Sequence, residues 1–193
     1  MVYIKFIFAL PFLLFTLNVM GFEAMHEKTP VGEIKILQLP ARTALEANAD
    51  QSYFSENNGL FRTLFSYISK HDLSMTTPVE AEIEPGKMRF FVGGKDANKS
   101  CPSTDSVEVK ELEPTQVLAI GIRGSYDEEN FLENRDRLVR WIEEQAVYEA
   151  AGDAYAVYWD GPYIPWFLKR SEIHLPIRLR TQESDTIQPF QNP

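Results

Sequence analysis

The sequence predicts an α+β fold in which two helices pack on one antiparallel sheet or distorted barrel. Three observations lead to this prediction: two segments carry helical apolar stripes, short β-rich runs surround both of them, and the order of elements repeats. The repeat is clearest in the helix cores, where three pairs of residues are each 74 positions apart: Leu64 and Leu138, Tyr67 and Trp141, Ile68 and Ile142. Two half-units related by a pseudo-twofold axis would bury both stripes in one core.

The first half-unit opens with two β-rich runs, residues 33–39 and 42–47, which predict strands. A helix is predicted over residues 57–70, where one apolar stripe contains Leu60, Phe61, Leu64, Phe65 and Ile68. Strands are then predicted at residues 79–84 and 88–92, on either side of a Pro85-Gly86 turn.

The second half-unit follows the same order. Strands are predicted at residues 107–112 and 115–123. Ser125 to Glu128 fits a capping box, so a helix is expected from there to Tyr148. The last strands are predicted at residues 154–159 and 171–177. Residues 88–92 and 154–159 are apolar or long on both faces. Helices are therefore expected on one face of the sheet, while the other closes on itself or lines an apolar cleft.

Composition excludes several classes of protein. The 193 residues suit one domain, and 44% hydrophobic residues are enough for a core. A net charge of −9 argues against nucleic-acid binding, which needs a basic face. One cysteine, Cys101, excludes an internal disulfide and any metal site built from several thiolates.

The two termini are expected to lie outside the domain. Lys5 precedes an apolar run, residues 6–17, that has the length of a signal peptide core and is short for a membrane span. A signal peptide is therefore predicted over residues 1–21, with export to the periplasm or the extracellular space. An uncleaved anchor is the alternative, and it is the one predicted route to a membrane. Residues 181–193 are polar and predict a loose tail.

Two motifs carry a resemblance to a known family. Met75-Thr76-Thr77-Pro78-Val79 follows the first helix, and a Pro-rich loop beginning at Gly161 runs into Lys169-Arg170-Ser171-Glu172-Ile173. Together they resemble the SOUL family of haem-binding proteins over residues 31–180. Leu37 and Ser171 depart from the family pattern, which more often has an aromatic residue and Asn there. The resemblance implies a distorted antiparallel barrel, built from two βαββ-like repeats and flanked by two helices.

The resemblance also implies a ligand, haem or another tetrapyrrole held non-covalently along the first helix. The residues that it assigns to the ligand are Leu60, Phe61, Leu64 and Phe65 on the helix, Arg170 near the propionates, and Tyr158 as an aromatic contact. No histidine aligns with the axial ligand proposed for some members of the family. The metal ligand therefore stays open, with His71 and His174 as candidates.

Simpler roles exist for most of these residues. His71 lies at a helix C-terminus, where an imidazolium complements the helix dipole. His174 shares a strand face with Glu172 and is expected to form a solvated or cross-strand pair, and His26 is expected to be solvated. Met75 is expected to pack in the core, although a thioether can bind haem iron.

Three functions follow from this pattern. The first is an exported carrier or buffer for a tetrapyrrole. The second is an enzyme with a gyrase-inhibitor-like fold, a hydrolase or a tetrapyrrole-modifying enzyme, that uses Glu172 with Tyr155 or Tyr158 in a cleft. The third is a protein-interaction module. The sequence contains no nucleophile elbow, phosphate-binding loop or dinucleotide fingerprint.

Overall fold

A computed structural model describes residues 22–180. The predicted signal peptide and the predicted polar tail lie outside these described residues. Residues 22–180 form eleven strands, two α-helices and two short 3₁₀ turns. Neither α-helix in this range is long and apolar enough to cross a membrane.

The elements follow one another in the order that the repeat predicts. The strands of the first half are β1 (Glu23–Ala24), β2 (Ile34–Leu39), β3 (Arg42–Asn48), β4 (Thr76–Thr77), β5 (Val79–Glu82) and β6 (Lys87–Phe91). Those of the second are β7 (Glu108–Leu112), β8 (Thr115–Arg123), β9 (Tyr148–Ala150), β10 (Tyr155–Tyr158) and β11 (Arg170–Leu179). Helix α1 (Tyr53–Lys70) follows β3, and helix α2 (Glu128–Glu143) follows β8.

One large sheet organises the domain. Its strands lie in the order β2-β8-β11-β10-β5-β6-β3-β7, every neighbouring pair is antiparallel, and β9 adds to the far end of β11. The short β1 and β4 pair separately and in parallel. The sheet curls into a half-barrel with both helices on one face, which confirms the predicted α+β architecture.

The predicted internal repeat is present in the strand order. The unit β3-α1-β5-β6 corresponds to β8-α2-β10-β11, and the two units meet where β5 pairs with β10. Leu64 and Leu138, which are 74 positions apart, are both fully buried under their helices. Burial of such a side chain stabilises the fold by roughly 1.5–3 kcal/mol.

Helix α1 is longer than predicted. It begins at Tyr53 rather than at residue 57, because Tyr53 is buried against the sheet while Ser55 and Glu56 face solvent. The first turn of the helix is polar except for Tyr53, so it shows little apolar periodicity. A prediction from the apolar stripe alone therefore begins the helix too late.

Helix α2 is shorter than predicted and is capped by a different residue. The N-cap is Asp127, whose side chain accepts a hydrogen bond from Asn130 N at 2.9 Å, so the predicted capping box at Ser125 is wrong. The helix ends at Glu143 rather than at Tyr148, because Tyr148 begins β9 and pairs with Leu179. Residues 148–150 therefore form a strand of the sheet instead of a last turn of the helix.

The face of the sheet opposite the helices is charged. Alternation along the strands puts Leu45 and Phe90 under the helices and puts Glu46 and Arg89 inside the half-barrel. Arg89 Nε donates to Glu46 at 2.7 Å, and Arg42 donates to Glu80 at 2.6 Å with both side chains almost fully buried. The interior is therefore filled by ion pairs, and this part of it is not the apolar cleft that the sequence left open.

An N-terminal strap, residues 25–31, covers the part of this face formed by β8 and β11. Val31 bridges to Gly121 of β8, and Gly32 N donates to Gly121 O at 2.8 Å. A side chain at position 121 would collide with the carbonyl oxygens of Thr29 and Pro30, so the close approach of the strap requires glycine there. The helices therefore cover one face of the sheet, and the strap covers part of the other.

Candidate functional site

An apolar cavity of about 540 Å³ lies beside α1 on the helical side of the sheet. Its lining comes from α1, from the segment 75–79 and from the loop that joins β10 to β11. Small-molecule sites are typically apolar clefts of roughly 300–1,000 Å³ with a few polar groups. Two larger hollows, of about 760 and 710 Å³, are rich in charged side chains, so the cavity beside α1 is the better site for an apolar ligand.

One side of α1 forms the first wall of the cavity. Tyr53, Asn57, Phe61 and Phe65 are each four positions apart and lie in one row on the helix. The Phe61 and Phe65 rings stack with centroids 5.9 Å apart, and Phe61 also meets Phe90 edge to face at 5.4 Å. Phe65 is half exposed, so it has free surface to offer to a ligand.

The four helix residues that the sequence predicted therefore divide into two groups. Phe61 and Phe65 line the cavity. Leu64 is fully buried in the core, and Leu60 is buried there and borders one of the polar hollows. The predicted apolar stripe is thus two adjacent rows, one directed at the sheet and one at the cavity.

The floor of the cavity is a stack of tyrosines. Tyr158 lies between Tyr53 and Tyr126, with ring centroids 5.8 and 4.4 Å away. Burial raises the pKa of all three phenols, so they remain neutral at physiological pH. Tyr126 donates to Arg170 O at 2.5 Å and accepts from Asp160 N at 3.0 Å, which fixes the floor to the base of the loop.

The basic pair after the loop is split between two places. Lys169 lines the cavity, with its ammonium 4.8 Å from the centre of the Tyr126 ring. Arg170 does not line it, because its guanidinium donates to Thr29 O at 2.8 Å and so binds the N-terminal strap. The cation closest to a ligand in the cavity is therefore Lys169 rather than the predicted Arg170.

The two histidines proposed as metal ligands lie away from the cavity. His71 is the C-cap of α1, as its simpler role predicts, and stacks on Tyr67 at 4.3 Å. His174 is fully buried on the charged face of the sheet. Met75 does line the cavity, and it shares the lining with a second methionine, the buried Met88. Within residues 22–180 no three His, Cys, Asp or Glu side chains cluster as a metal site.

The SOUL heme-binding protein family matches residues 20–176, which is most of the sequence. The chain belongs to this family. The predicted resemblance is confirmed, and no curated protein matches the chain in sequence.

Solved structures share the fold of this SOUL domain. The C-terminal domain of EcmrR matches with a TM-score of 0.60 and 15% identity, over 76% of this chain and 97% of that one. EcmrR in a complex with DNA matches with a TM-score of 0.61 and 14% identity, over 75% of this chain and 57% of the EcmrR chain. A hydrolase from Listeria innocua matches with a TM-score of 0.55 and 11% identity, over 78% of this chain and 94% of that one. At such low identities the likeness shows the fold alone.

The SOUL domain also contains a buried polar cluster under the strap. The Glu172 carboxylate accepts hydrogen bonds from Thr29 N at 2.8 Å, Thr29 Oγ1 at 2.9 Å and Trp159 Nε1 at 2.7 Å. His174 Nε2 lies 2.9 Å from Glu172 Oε2, the oxygen that also accepts from Thr29 Oγ1. Tyr155 Oη lies 3.3 Å from His174 Nδ1. Burial acts against the charge, but the hydrogen bonds from His174 and Thr29 hold the pKa of Glu172 below its usual value.

His26 belongs to this cluster and is not solvated as predicted. Its ring meets Trp159 edge to face at 4.9 Å and lies 5.5 Å from His174. Burial lowers the pKa of His26, so the neutral form is favoured. The sequence predicted that Glu172 and His174 share a strand face. It could not predict that His26 joins them, because the strap is irregular and has no periodic pattern.

Proposed function

We propose that this protein is an exported tetrapyrrole carrier or buffer that holds haem non-covalently in the cavity beside α1. Membership of the SOUL family indicates haem binding. The observation that carries the proposal is the apolar cavity of about 540 Å³, whose position along the first helix is the one that the family resemblance predicts.

The cavity lining fits a flat, apolar ring system with acidic substituents. Phe61 and Phe65 offer ring faces on one side, and Tyr158 closes the other. Lys169 supplies a positive charge that suits a propionate. Haem would add an iron atom, and the thioethers of Met75 and Met88, which both line the cavity, are the soft donors that would hold it there.

A non-covalent complex is supported by energy and by the position of the thiol. Burying one large apolar side chain is worth roughly 1.5–3 kcal/mol, so a few such contacts hold a macrocycle without a covalent bond. Cys101 is the one cysteine of the chain, and it lies in a loop where its thiol contacts Lys99 O rather than the cavity.

Export is proposed from the sequence alone. Lys5 and the apolar run over residues 6–17 have the pattern of a signal peptide. The mature chain is expected to begin between Phe22 and Glu27 and to be found in the periplasm or outside the cell. Intact-mass spectrometry of protein from a secreting host tests this, and a full-length mass in the soluble fraction would contradict it.

Catalysis is the less well supported alternative. The hydrolase from Listeria innocua has a similar fold, and the second function predicted from the sequence pairs Glu172 with Tyr155 or Tyr158. Tyr158 faces the cavity, however, while Glu172 lies on the opposite face of the sheet. Tyr155 shares the face of Glu172, but Thr29 of the strap occupies both carboxylate oxygens. These contacts support a structural role for Glu172.

Blocking the cavity tests the proposed binding site. Asn57 lines the mouth on α1, so Asn57→Trp should fill it and weaken binding of haem and of iron-free protoporphyrin at least tenfold. Ser55→Trp is the matched control, because Ser55 is exposed on the same helix and is not part of the lining. Titrations followed by Soret absorbance and porphyrin fluorescence measure both. Equal affinities for the two variants and the parent would refute this site.

A further inference from the structure

Exposed aromatic and apolar side chains, here called the aromatic rim, lie on and beside the loop that forms one wall of the cavity. Four large apolar side chains of the loop between β10 and β11 face solvent: Tyr163 is 74% exposed, Trp166 66%, Phe167 54% and Leu168 46%. Phe65 and Phe22, which line the same cavity as Tyr163, are about half exposed as well. Monomeric soluble proteins rarely expose a contiguous apolar patch of this kind unless it meets a partner or a membrane.

The loop holds these side chains outward through its own backbone. Pro165 precedes the 3₁₀ turn Trp166–Leu168, and Leu168 N donates to Pro165 O at 2.9 Å. At the base of the loop, Arg170 N donates to Asp160 Oδ2 at 2.6 Å. The exposure of the rim is therefore a defined feature of the fold, and the loop is fixed at both ends.

We propose that the aromatic rim docks on a lipid bilayer, with the cavity mouth facing the membrane. Trp and Tyr have an apolar body and a polar tip and are enriched at membrane interfaces. Lys169 lines the cavity beside the rim. This local positive charge, on a chain with a net charge of −9, suits lipid phosphates.

The course of the chain favours a membrane over a protein partner. Phe22 is the first described residue, and it lies in the lining of the cavity. The sequence that precedes it contains the apolar run over residues 6–17. In the uncleaved form, which is the alternative to the proposed cleavage, this run and the rim would meet the same bilayer. The sequence predicted membrane contact through an uncleaved signal alone, and the rim adds a second contact.

This inference goes beyond the proposed function and does not depend on it, because a rim can dock whether or not the cavity binds haem. If both hold, an apolar ligand would pass between the bilayer and the cavity without crossing water.

Tryptophan quenching tests the rim in the chain that begins at Phe22, because the apolar run over residues 6–17 could itself bind vesicles. Phosphatidylcholine vesicles with and without phosphatidylserine are prepared with lipids that carry bromine on the acyl chain. Trp159 is buried and Trp141 is half-buried, so the exposed Trp166 is the tryptophan that can reach the bromine. We expect tryptophan emission to be quenched by the brominated lipid, and we expect Trp166→Phe to remove that quenching.

Flotation with the same vesicles gives the second measurement. Replacing Tyr163, Trp166, Phe167 and Leu168 together by Ser should lower vesicle affinity about tenfold. Val147→Ser with Leu179→Ser is the control, because both side chains are exposed and Leu179 lies at the far end of β11 from the loop. If Trp166 stays accessible to aqueous iodide and is not quenched by brominated lipid, the rim faces water or a protein partner and the proposal is wrong. Equal affinities of the Ser variant and the control would also overturn it.

Discussion

Truncation of Phe65 separates the role of the cavity in binding from its role in folding. Phe65 lines the cavity, is 50% exposed, and stacks on Phe61. Phe65→Ser should therefore weaken tetrapyrrole binding, and it should lower the free energy of unfolding less than the loss of a fully buried side chain does. Leu64→Ala, one position away, should do the opposite: Leu64 is fully buried, and a buried Leu→Ala change typically costs 2–5 kcal/mol.

The size of the effect follows from the free surface of Phe65. An aromatic side chain buries on the order of 200 Å² when it is fully enclosed, so a half-exposed ring has about 100 Å² to offer. A flat ligand covers one side of the ring, or about 50 Å². At about 25 cal/mol per Å² this is worth about 1.3 kcal/mol, which corresponds to a loss of affinity of about eightfold.

The assay is a parallel titration with haem and with iron-free protoporphyrin, together with urea unfolding of each variant. Iron-free porphyrin is included because apolar contacts act on both ligands, whereas iron coordination acts on haem alone. Val147→Ser is the surface control, since Val147 is similarly exposed and is not part of the cavity lining. An unchanged affinity for both ligands after Phe65→Ser would refute binding beside α1. A loss restricted to haem would show that coordination dominates over apolar burial.

Three further predictions concern charge. Lys169→Ala should weaken haem binding severalfold at low salt and less at high salt, while Arg170→Ala leaves it unchanged because Arg170 binds the strap. Glu80→Gln should lower the free energy of unfolding by about 3–5 kcal/mol, because it leaves the buried Arg42 guanidinium without its carboxylate partner. Burial holds the pKa of His26 below 6.5, so the unfolded chain binds more protons and the free energy of unfolding should fall as the pH drops below about 6.5.

Each of these predictions has its own control. Salt titrations of haem affinity measure the first, and a loss with Arg170→Ala as large as with Lys169→Ala would contradict it. Chemical denaturation measures the second, with Glu33→Gln as reference because the exposed Glu33–Lys35 pair should contribute less than about 1 kcal/mol. For the third, His26→Phe should flatten the decline in stability below pH 6.5, and an unaltered pH profile would exclude His26 as its source.

The sequence predicts those parts of the fold that repeat. The offset between Leu64 and Leu138 predicted both helices and their place in the core, because buried stripes impose a period that the sequence preserves. The same period could not separate the residues that bind from those that pack. Phe61 and Phe65 lie in a row beside Leu60 and Leu64, and all four are apolar, so only the position of the sheet shows which row faces the cavity.

Contacts made by irregular segments could not be predicted from the sequence. Nothing in residues 25–31 indicates that Thr29 bonds Glu172 or that His26 meets Trp159, since these contacts join positions far apart in the chain without a common period. The different contacts of Lys169 and Arg170 could not be predicted for the same reason. Adjacent residues at the start of a strand point in opposite directions, and the strap decides which of them is free for the cavity.

The two halves of the molecule differ in the length of one connection. Between β5 and β6 the chain turns within residues 83–86, whereas the corresponding link between β10 and β11 extends over residues 159–169. This longer link, which belongs to the second half, forms the outer wall of a cavity whose inner wall is the helix of the first half. The cavity therefore depends on the greater length of this one connection. Changes in the length or composition of that connection would alter which molecules are admitted, while the sheet and its ion pairs keep the same shape.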